Sequence, residues 1–149
     1  MQDYKLPVSV LVVIHTSDLQ ILLLERADHP GYWQSVTGSQ NPSETLTQTA
    51  IREVHEETGI DASEHSLIDW QIQNQYEIYE EWRWRYPPGV THNTEHVFSL
   101  EVPAKTPINI AAREHLGHIW LPWQAAADKV FSASNAQAIR WLASKLTAE

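Results

Sequence analysis

The stretch GSQNPSETLTQTAIREVHEETGI, residues 38–60, decides the fold, because it predicts a single amphipathic helix that has to pack against other elements. Pro42 and Ser43 are typical of the region where a helix begins, at about Glu44. Gly59 is typical of the residue just past a helix end. The segment therefore predicts a helix that runs from about residue 44 to 58.

This helix has one apolar and one acidic face when residues are placed at about 100° intervals. The apolar face, which we expect to anchor the helix, carries Ala50, Ile51 and Val54. The opposite face, which we expect to look outward, carries Arg52, Glu53, Glu56 and Glu57. These glutamates lie near the carbonyl end of the helix, where negative charge is unfavourable, and their like-charge pairs cost roughly 0.2–0.5 kcal/mol each. A single arginine does not neutralise all of them.

Two interpretations explain these unfavourable charges. The first is a solvated acidic face whose repulsion is screened by salt. The second is a site for a hard cation, since oxygen ligands without cysteine suit Mg²⁺ or Mn²⁺ rather than zinc. Arg52 would then neutralise and orient one glutamate. The spacing of the glutamates favours the metal site.

The segments around the helix predict a sheet. Apolar or alternating runs indicate strands at 7–14, 20–25, 33–38, 67–79, 81–86, 96–102 and 119–121. Near the C-terminus, the spacing of Ile139, Leu142 and Leu146 predicts an amphipathic helix, with Ser134 as its cap. The pattern therefore predicts one α+β domain over residues 1–149, with one internal and one terminal helix packed on the sheet.

Composition narrows the class of protein. The chain has 149 residues, seven Trp and no Cys, which allows a packed core but neither disulfides nor thiolate metal sites. Its formal net charge of −9 would repel a nucleic-acid polymer. The longest apolar run, at 8–14, is too short to span a membrane, and the N-terminus lacks the pattern of a signal peptide. We therefore expect a cytoplasmic protein with no nucleic-acid or membrane partner.

The fixed positions of the helical stretch resemble the signature box of the Nudix hydrolase family. Gly38 is followed after five residues by Glu44, and after seven more by REVHEETGI at 52–60. This resemblance implies a mixed sheet between helices. It also implies Mg²⁺-dependent attack of water on a diphosphate linked to another group, with Mn²⁺ as a possible substitute for Mg²⁺.

The resemblance also implies roles for individual residues of the box. Glu53 and Glu57 would be direct metal ligands, and Glu56 would share the site directly or through water. Glu44, Arg52 and Gly59 would be structural. Gly38 would let the backbone pass close to the metal or phosphate, although a strand end with unusual dihedral angles would select glycine as well.

A further carboxylate from outside the box is implied by the segment REHLGHIWL. Glu114 in this segment would reach the metal site as a ligand or as the general base. An ordinary loop glutamate is the alternative. We expect the neighbouring His115 to pack or to cap rather than to act in catalysis.

Cations and aromatic residues supply candidate contacts for an anionic, heterocyclic substrate. We expect anion binding to depend on cations near the box, namely Lys5 before the first strand, Arg26 after the second, and Arg83 and Arg85 in EWRWRY. Arg26 is the best placed, because its strand ends toward the site. The flat faces of Tyr76, Tyr79, Trp82 and Trp84 could stack on a heterocycle. Solvated edge charges and core aromatics are the alternative interpretations.

Segments outside the box, at 35–39, 75–79, 85–98 and 134–139, are similar to those family members that release pyrophosphate from 7,8-dihydroneopterin triphosphate in folate synthesis. The product would be the monophosphate. By this resemblance the substrate pocket is lined by Lys5, Arg26, Thr37, Gly38, Tyr76, Glu77, Ile78, Tyr79 and Ser134.

Other functions fit the sequence as well. A pyrophosphatase of nucleoside triphosphates such as dATP would carry the same box. A binding module that has lost catalysis is disfavoured by the intact glutamates, and an acidic interaction domain is a third alternative.

Overall fold

The computed structural model describes residues 4–147. Seven strands are present in this range: β1 Val8–His15, β2 Gln20–Arg26, β3 Trp33–Gln34, β4 Val36–Ser39, β5 Ser66–Glu77, β6 His92–Glu101 and β7 His115–Pro122. The α-helices are α1 Leu46–Thr58, α2 Trp123–Lys129 and α3 Ala133–Thr147. Short 3₁₀ helices occupy Ala62–Glu64 and Glu80–Arg85.

The strands form one mixed sheet. Its main order is β3-β2-β1-β6-β5, while β4 pairs with β1 and β7 pairs with β2. Only the β1–β6 pairing is parallel among those of the described strands, and the others are antiparallel. Since β1 and β2 are in register only where His15 faces Ile21, the two strands diverge and take different partners beyond that point. This divergence leaves room for a cavity.

The continuous apolar run of β1 is buried on both faces of the sheet. On one face, Val10, Val12 and Ile14 pack in a cluster with Ala50 and Val54 of α1. On the other face, a second cluster joins β1 and β2 to α2 and α3 through Leu11, Val13, Ile21, Leu23, Ala126, Ala127, Ala138, Ile139 and Leu142. The sheet therefore lies between helices, which confirms the predicted α+β arrangement.

The helix of the decisive stretch begins later than predicted and ends where predicted. Thr45 caps it: the Thr45 hydroxyl accepts a hydrogen bond from the Gln48 N–H at 3.1 Å, and the Gln48 side chain accepts one from the Thr45 N–H at 2.8 Å. This capping box starts α1 at Leu46. Gly59 ends it in the left-handed conformation, with φ at 78°.

Two strand predictions were wrong. Residues 81–86 do not form a strand: they fall largely in the 3₁₀ helix Glu80–Arg85, because β6 begins at His92 and offers no ladder partner beyond Glu77. Residues 33–38 form two strands rather than one, because β3 pairs with β2 whereas β4 pairs with β1. Ser35 lies at the break, and its N–H donates to the Asn135 side chain at 2.8 Å.

The C-terminal part was predicted incompletely. The sequence pattern gave no sign of α2, which follows Pro122 directly, and β7 begins at His115, four residues before the predicted strand. Ser134 lies inside α3 and is not its cap. The Ser132 hydroxyl instead accepts the Asn135 N–H at 3.0 Å, three residues into the turn. No helix within residues 4–147 is long and apolar enough to cross a membrane.

Candidate active site

The last two turns of α1 lie against the end of β4, and Gly38 permits this approach. A Cβ atom at position 38 would overlap the carboxylate of Glu53. The φ of Gly38 does not fall in the left-handed region, unlike that of Gly59. The close approach of the Glu53 carboxylate, and not an unusual dihedral angle, is therefore what requires glycine here.

Arg52 organises the loop and the acidic face. Its guanidinium donates to both carboxylate oxygens of Glu44, at 2.7 and 3.0 Å, and to the Ser39 carbonyl at 2.9 Å. The same side chain donates to Glu53 Oε1 at 2.6 Å and contacts Glu56 Oε2 at 3.4 Å. The hydrogen bonds from Arg52 lower the pKa of Glu44 to about 2. Glu44 thus braces the loop in front of α1.

Glu57 is buried, which corrects the prediction that the whole acidic face looks outward. Its exposed fraction is 2%, and neither carboxylate oxygen has a hydrogen-bond partner among the described residues. Burial, and secondly the neighbouring Glu53 carboxylate, raise the pKa of Glu57 well above its usual value. Burial likewise raises the pKa of Glu53. An unpartnered buried carboxylate is costly unless something compensates it.

A divalent cation is the natural compensation for this carboxylate pair. Both oxygens of Glu57 lack hydrogen-bond partners among the described residues, and together with the neighbouring Glu53 carboxylate they form a donor set suited to a hard cation. Within residues 4–147, however, no three His, Asp or Glu side chains already converge into a coordination sphere. Arg52 draws one oxygen of Glu53 toward itself at 2.6 Å. The donor chemistry of Glu53 and Glu57 therefore fits a hard cation, which these two side chains would hold.

The other predicted acids border the same space. Glu56 is 52% exposed, and Glu114 is exposed just before β7, where its backbone accepts the Ala27 N–H at 2.9 Å. The negative charge of Glu114 contributes to the raised pKa of Glu57. His115 is buried, with its Nε2 3.4 Å from Glu57 Oε1. Burial lowers the pKa of His115 to about 4, so the ring is neutral at pH 7 and packs beside Glu57.

A cavity of about 840 Å³ opens from this acidic cluster. Its wall includes the nine residues that the family resemblance assigned to the substrate pocket: Lys5, Arg26, Thr37, Gly38, Tyr76, Glu77, Ile78, Tyr79 and Ser134. The four predicted acids, Glu53, Glu56, Glu57 and Glu114, line the same cavity. The fold thus brings the four acids and these nine pocket residues together around one space, whereas the candidates Arg83 and Trp84 lie outside it.

The cations of this cavity are held in a defined network. Arg26 donates to both oxygens of Asp28, at 2.7 and 2.6 Å, and to Gln34 at 3.0 Å. Arg85 lies 3.5 Å from the same Asp28 carboxylate. Lys5 lines the same cavity, so three cations and only one of their carboxylate partners, Asp28, stand on this part of the wall, and positive charge remains for an anion. Arg83 instead pairs with Glu77 at 2.8 Å and does not line this cavity.

Aromatic side chains form part of the wall. Tyr79 and Trp82 are stacked with ring centroids 5.2 Å apart, and Phe131 meets both rings edge-on. The Arg26 guanidinium lies 4.6 Å from the centroid of Trp82. Trp84 is 66% exposed and lies outside the cavity. Of the four aromatic candidates, Trp84 is therefore the one that is not placed to stack on a ligand in this cavity.

Sequence reasoning missed several polar residues of the wall. Glu95, Gln34 and Asn135 are all buried and line the cavity. Glu95 could have been found, because it stands two residues before Val97, on the strand face that is otherwise directed to the core. A charged residue at an inward position of a strand is a signal of function.

Comparisons with known proteins agree with this geometry. A family model described as NUDIX domain matches residues 5–142. A protein of Escherichia coli K12 named dihydroneopterin triphosphate diphosphatase is 49% identical over 139 residues, 91% of each chain. The Haemophilus influenzae protein of that name is 43% identical over 143 residues, 94% of this chain and 89% of the other. The solved structure of the E. coli dihydroneopterin triphosphate pyrophosphohydrolase superposes with a TM-score of 0.87 at 48% identity, covering 94% of this chain and 97% of that one.

Proposed function

Since the chain belongs to the NUDIX domain family, we propose that it hydrolyses 7,8-dihydroneopterin triphosphate to the monophosphate and pyrophosphate, a step of folate synthesis. The relatives from E. coli and H. influenzae carry the name of this activity at 49% and 43% identity. A small-molecule triphosphate is the expected partner, and a cytoplasmic location stays a prediction.

The observation that carries the chemistry is the buried carboxylate of Glu57, whose oxygens have no hydrogen-bond partner in the described structure. Glu53 and Glu57 would hold a divalent cation, Mg²⁺ or Mn²⁺, with Glu56 and Glu114 contributing directly or through water. When bound, such a cation supplies neutralisation of phosphate charge and activation of water. Glu114, being exposed at the cavity wall, is the group we propose to accept the proton of the attacking water if it is not a ligand.

The remaining residues would bind and orient the substrate. Lys5, Arg26 and Arg85 face the cavity and would hold phosphate oxygens, with Arg26 kept in place by Asp28. The stacked Tyr79 and Trp82 would cover the heterocycle and exclude water from one side. Arg52 would keep Glu53 directed toward the cavity through its contacts with Glu44.

A substrate panel tests the proposal. Dihydroneopterin triphosphate, dATP and GTP are compared by kcat/KM with Mg²⁺, and the products are resolved into pyrophosphate and orthophosphate. We expect the highest efficiency for dihydroneopterin triphosphate, with pyrophosphate and the monophosphate as primary products. A higher efficiency for dATP would favour the nucleoside triphosphatase alternative, and orthophosphate as the sole primary product would overturn the proposed chemistry.

A further inference from the structure

Glu95 of β6 is a buried carboxylate that the proposed chemistry does not use. It is 4% exposed, lines the cavity, and its Oε1 has no hydrogen-bond partner among the described residues. No lysine, arginine or histidine within residues 4–147 lies at ion-pair distance from it. Ser134 and Asn74 offer Glu95 hydrogen bonds but no positive charge. In a cavity that receives a polyanion, a carboxylate without an ion-pair partner opposes binding unless it contacts a part of the substrate that donates hydrogen bonds.

The register of the sheet separates Glu95 from the acidic cluster of α1. Ser9 of β1 pairs with Ser39 on one side and with Glu95 on the other, so the backbones of Ser39 and Glu95 lie two strand spacings, about 10 Å, apart. Glu95 shares the strand face of Val97, which packs toward α3, whereas α1 packs on the opposite face. Glu95 therefore reaches the cavity from the face opposite the glutamates of α1.

The neighbours of Glu95 hold its surroundings in place. The Asn93 amide donates to the Ser9 hydroxyl at 2.7 Å and to the Tyr76 hydroxyl at 3.1 Å. Ser9, Tyr76 and Ser134 line the cavity together with Glu95. Burial, and secondly the charge of Glu95, raise the pKa of Tyr76. This part of the wall is polar and internally hydrogen-bonded, and it presents a carboxylate as an acceptor.

We propose that Glu95 selects the heterocycle, by accepting two hydrogen bonds from an edge on which a ring N–H and an exocyclic amino group stand side by side. The 2-amino-4-oxo pyrimidine ring of a pterin has such an edge, and guanine has the same one. Adenine offers an amino donor next to a ring-nitrogen acceptor, which a carboxylate repels. The inference rests on the proposed function, because it names the residue that distinguishes a pterin from adenine in the same cavity.

The variant Glu95→Gln tests this role with little change of volume. Its amide presents one acceptor and one donor, so it mismatches the pterin edge and matches adenine. Glu101→Gln, which changes an exposed glutamate of the same strand outside the cavity, is the matched control. Melting curves of both variants establish that they fold.

Binding of phosphate-free probes isolates this end of the cavity. We expect the Kd of neopterin to rise about 10–100-fold in Glu95→Gln, whereas the Kd of adenosine stays within about threefold or falls. In the hydrolysis assay, kcat/KM for dihydroneopterin triphosphate and GTP should drop by a similar factor, while that for dATP should not. Glu101→Gln should leave all of these values unchanged.

The possible results separate this inference from the proposed function. If wild type binds neopterin through Glu95 but does not cleave dihydroneopterin triphosphate, the proposed function fails and the recognition role stands. If wild type cleaves that substrate but Glu95→Gln leaves the pterin values unchanged, or lowers pterin and adenine values equally, the recognition role is overturned while the function stands.

Discussion

Replacing Glu57 by glutamine should move stability and activity in opposite directions. In the metal-free protein the wild-type carboxylate is buried at 2% exposure, without a hydrogen-bond partner in the described structure, and lies beside Glu53. This buried carboxyl must either stay charged without a partner or hold a proton above its usual pKa, and removing it recovers about 1–3 kcal/mol, while relief of repulsion at the helix end adds a few tenths of a kcal/mol. The new amide can donate to the Glu53 carboxylate. We therefore expect the free energy of unfolding to rise by about 1–3 kcal/mol. Each kcal/mol corresponds to an increase in Tm of about 2–4 °C for a chain of this size.

This gain should depend on pH. Because burial raises the pKa of Glu57 well above that of an ordinary glutamate, the folded state holds its proton at pH values where the unfolded state has lost it. Below the pKa of an unfolded glutamate, about 4.3, Glu57 is protonated in both states and does not destabilise the wild-type protein. As the pH rises through the folded pKa, the wild-type protein loses stability. The difference in Tm between Glu57→Gln and wild type should accordingly be small at pH 4 and increase toward pH 8.

The catalytic effect should have the opposite sign. Glu57→Gln removes a proposed cation ligand, so kcat should fall by about 10²–10⁴ and the Tm increase produced by added Mg²⁺ should shrink. The matched control is Glu56→Gln, which removes the same charge from an exposed position and should change metal-free stability by less than about 0.5 kcal/mol. Melting curves in chelator and in Mg²⁺, with one rate measurement per variant, provide the data. A metal-free Glu57→Gln protein less stable than wild type at pH 8, or one with near-normal activity, would refute the reasoning.

Three further predictions concern positions around the cavity. Glu114→Gln should lower kcat about 10²–10⁴-fold at saturating Mg²⁺, and a decrease below tenfold would make Glu114 an ordinary loop residue. Gly38→Ala should displace the Glu53 carboxylate and reduce kcat/KM at least about tenfold. Gly117→Ala, where a Cβ meets nothing within 4 Å, is the control and should leave kcat/KM unchanged, so equal kinetics of the two variants would contradict the close-approach argument. Asn135→Ala should lower the free energy of unfolding by about 1–3 kcal/mol in urea titrations, because it leaves the buried N–H of Ser35, at the break between β3 and β4, without its partner. An unchanged urea midpoint would count against this role of Asn135.

Local physical chemistry was enough to identify the decisive helix. The apolar spacing of Ala50 and Val54 predicted the buried face of α1, and Gly59 predicted its end. The first two strands could be predicted in the same way, because their apolar residues are continuous rather than alternating, which indicates strands buried on both faces. These features depend on residues within one or two turns or strands of each other, so periodicity and capping rules describe them well.

The sequence also predicted the chemistry of the glutamates, because their negative charges are unfavourable at the carbonyl end of a helix and the box at 38–60 is complete. Periodicity placed Glu57 on an outward face, but the structure buries it. A helical wheel records direction around one axis and not the elements that pack there, and here β7 brings His115 to within 3.4 Å of Glu57. The burial of this carboxylate, and with it the direction of its pKa shift, followed from tertiary packing alone.

Long-range partners decided the remaining features. The alternation in 81–86 indicated a strand, yet β6 provides no hydrogen-bonding neighbour there, and the segment forms a 3₁₀ helix. Ser35 divides the third predicted strand because it meets Asn135, which is 100 residues away in the sequence. Glu95 joins the cavity wall through the parallel register of β1 and β6. Local sequence thus determined α1, the first two strands and the acidic residues of the box. The sheet register and the packing of distant segments determined the other elements and which carboxylates are buried, because burial depends on contacts between residues far apart in the chain.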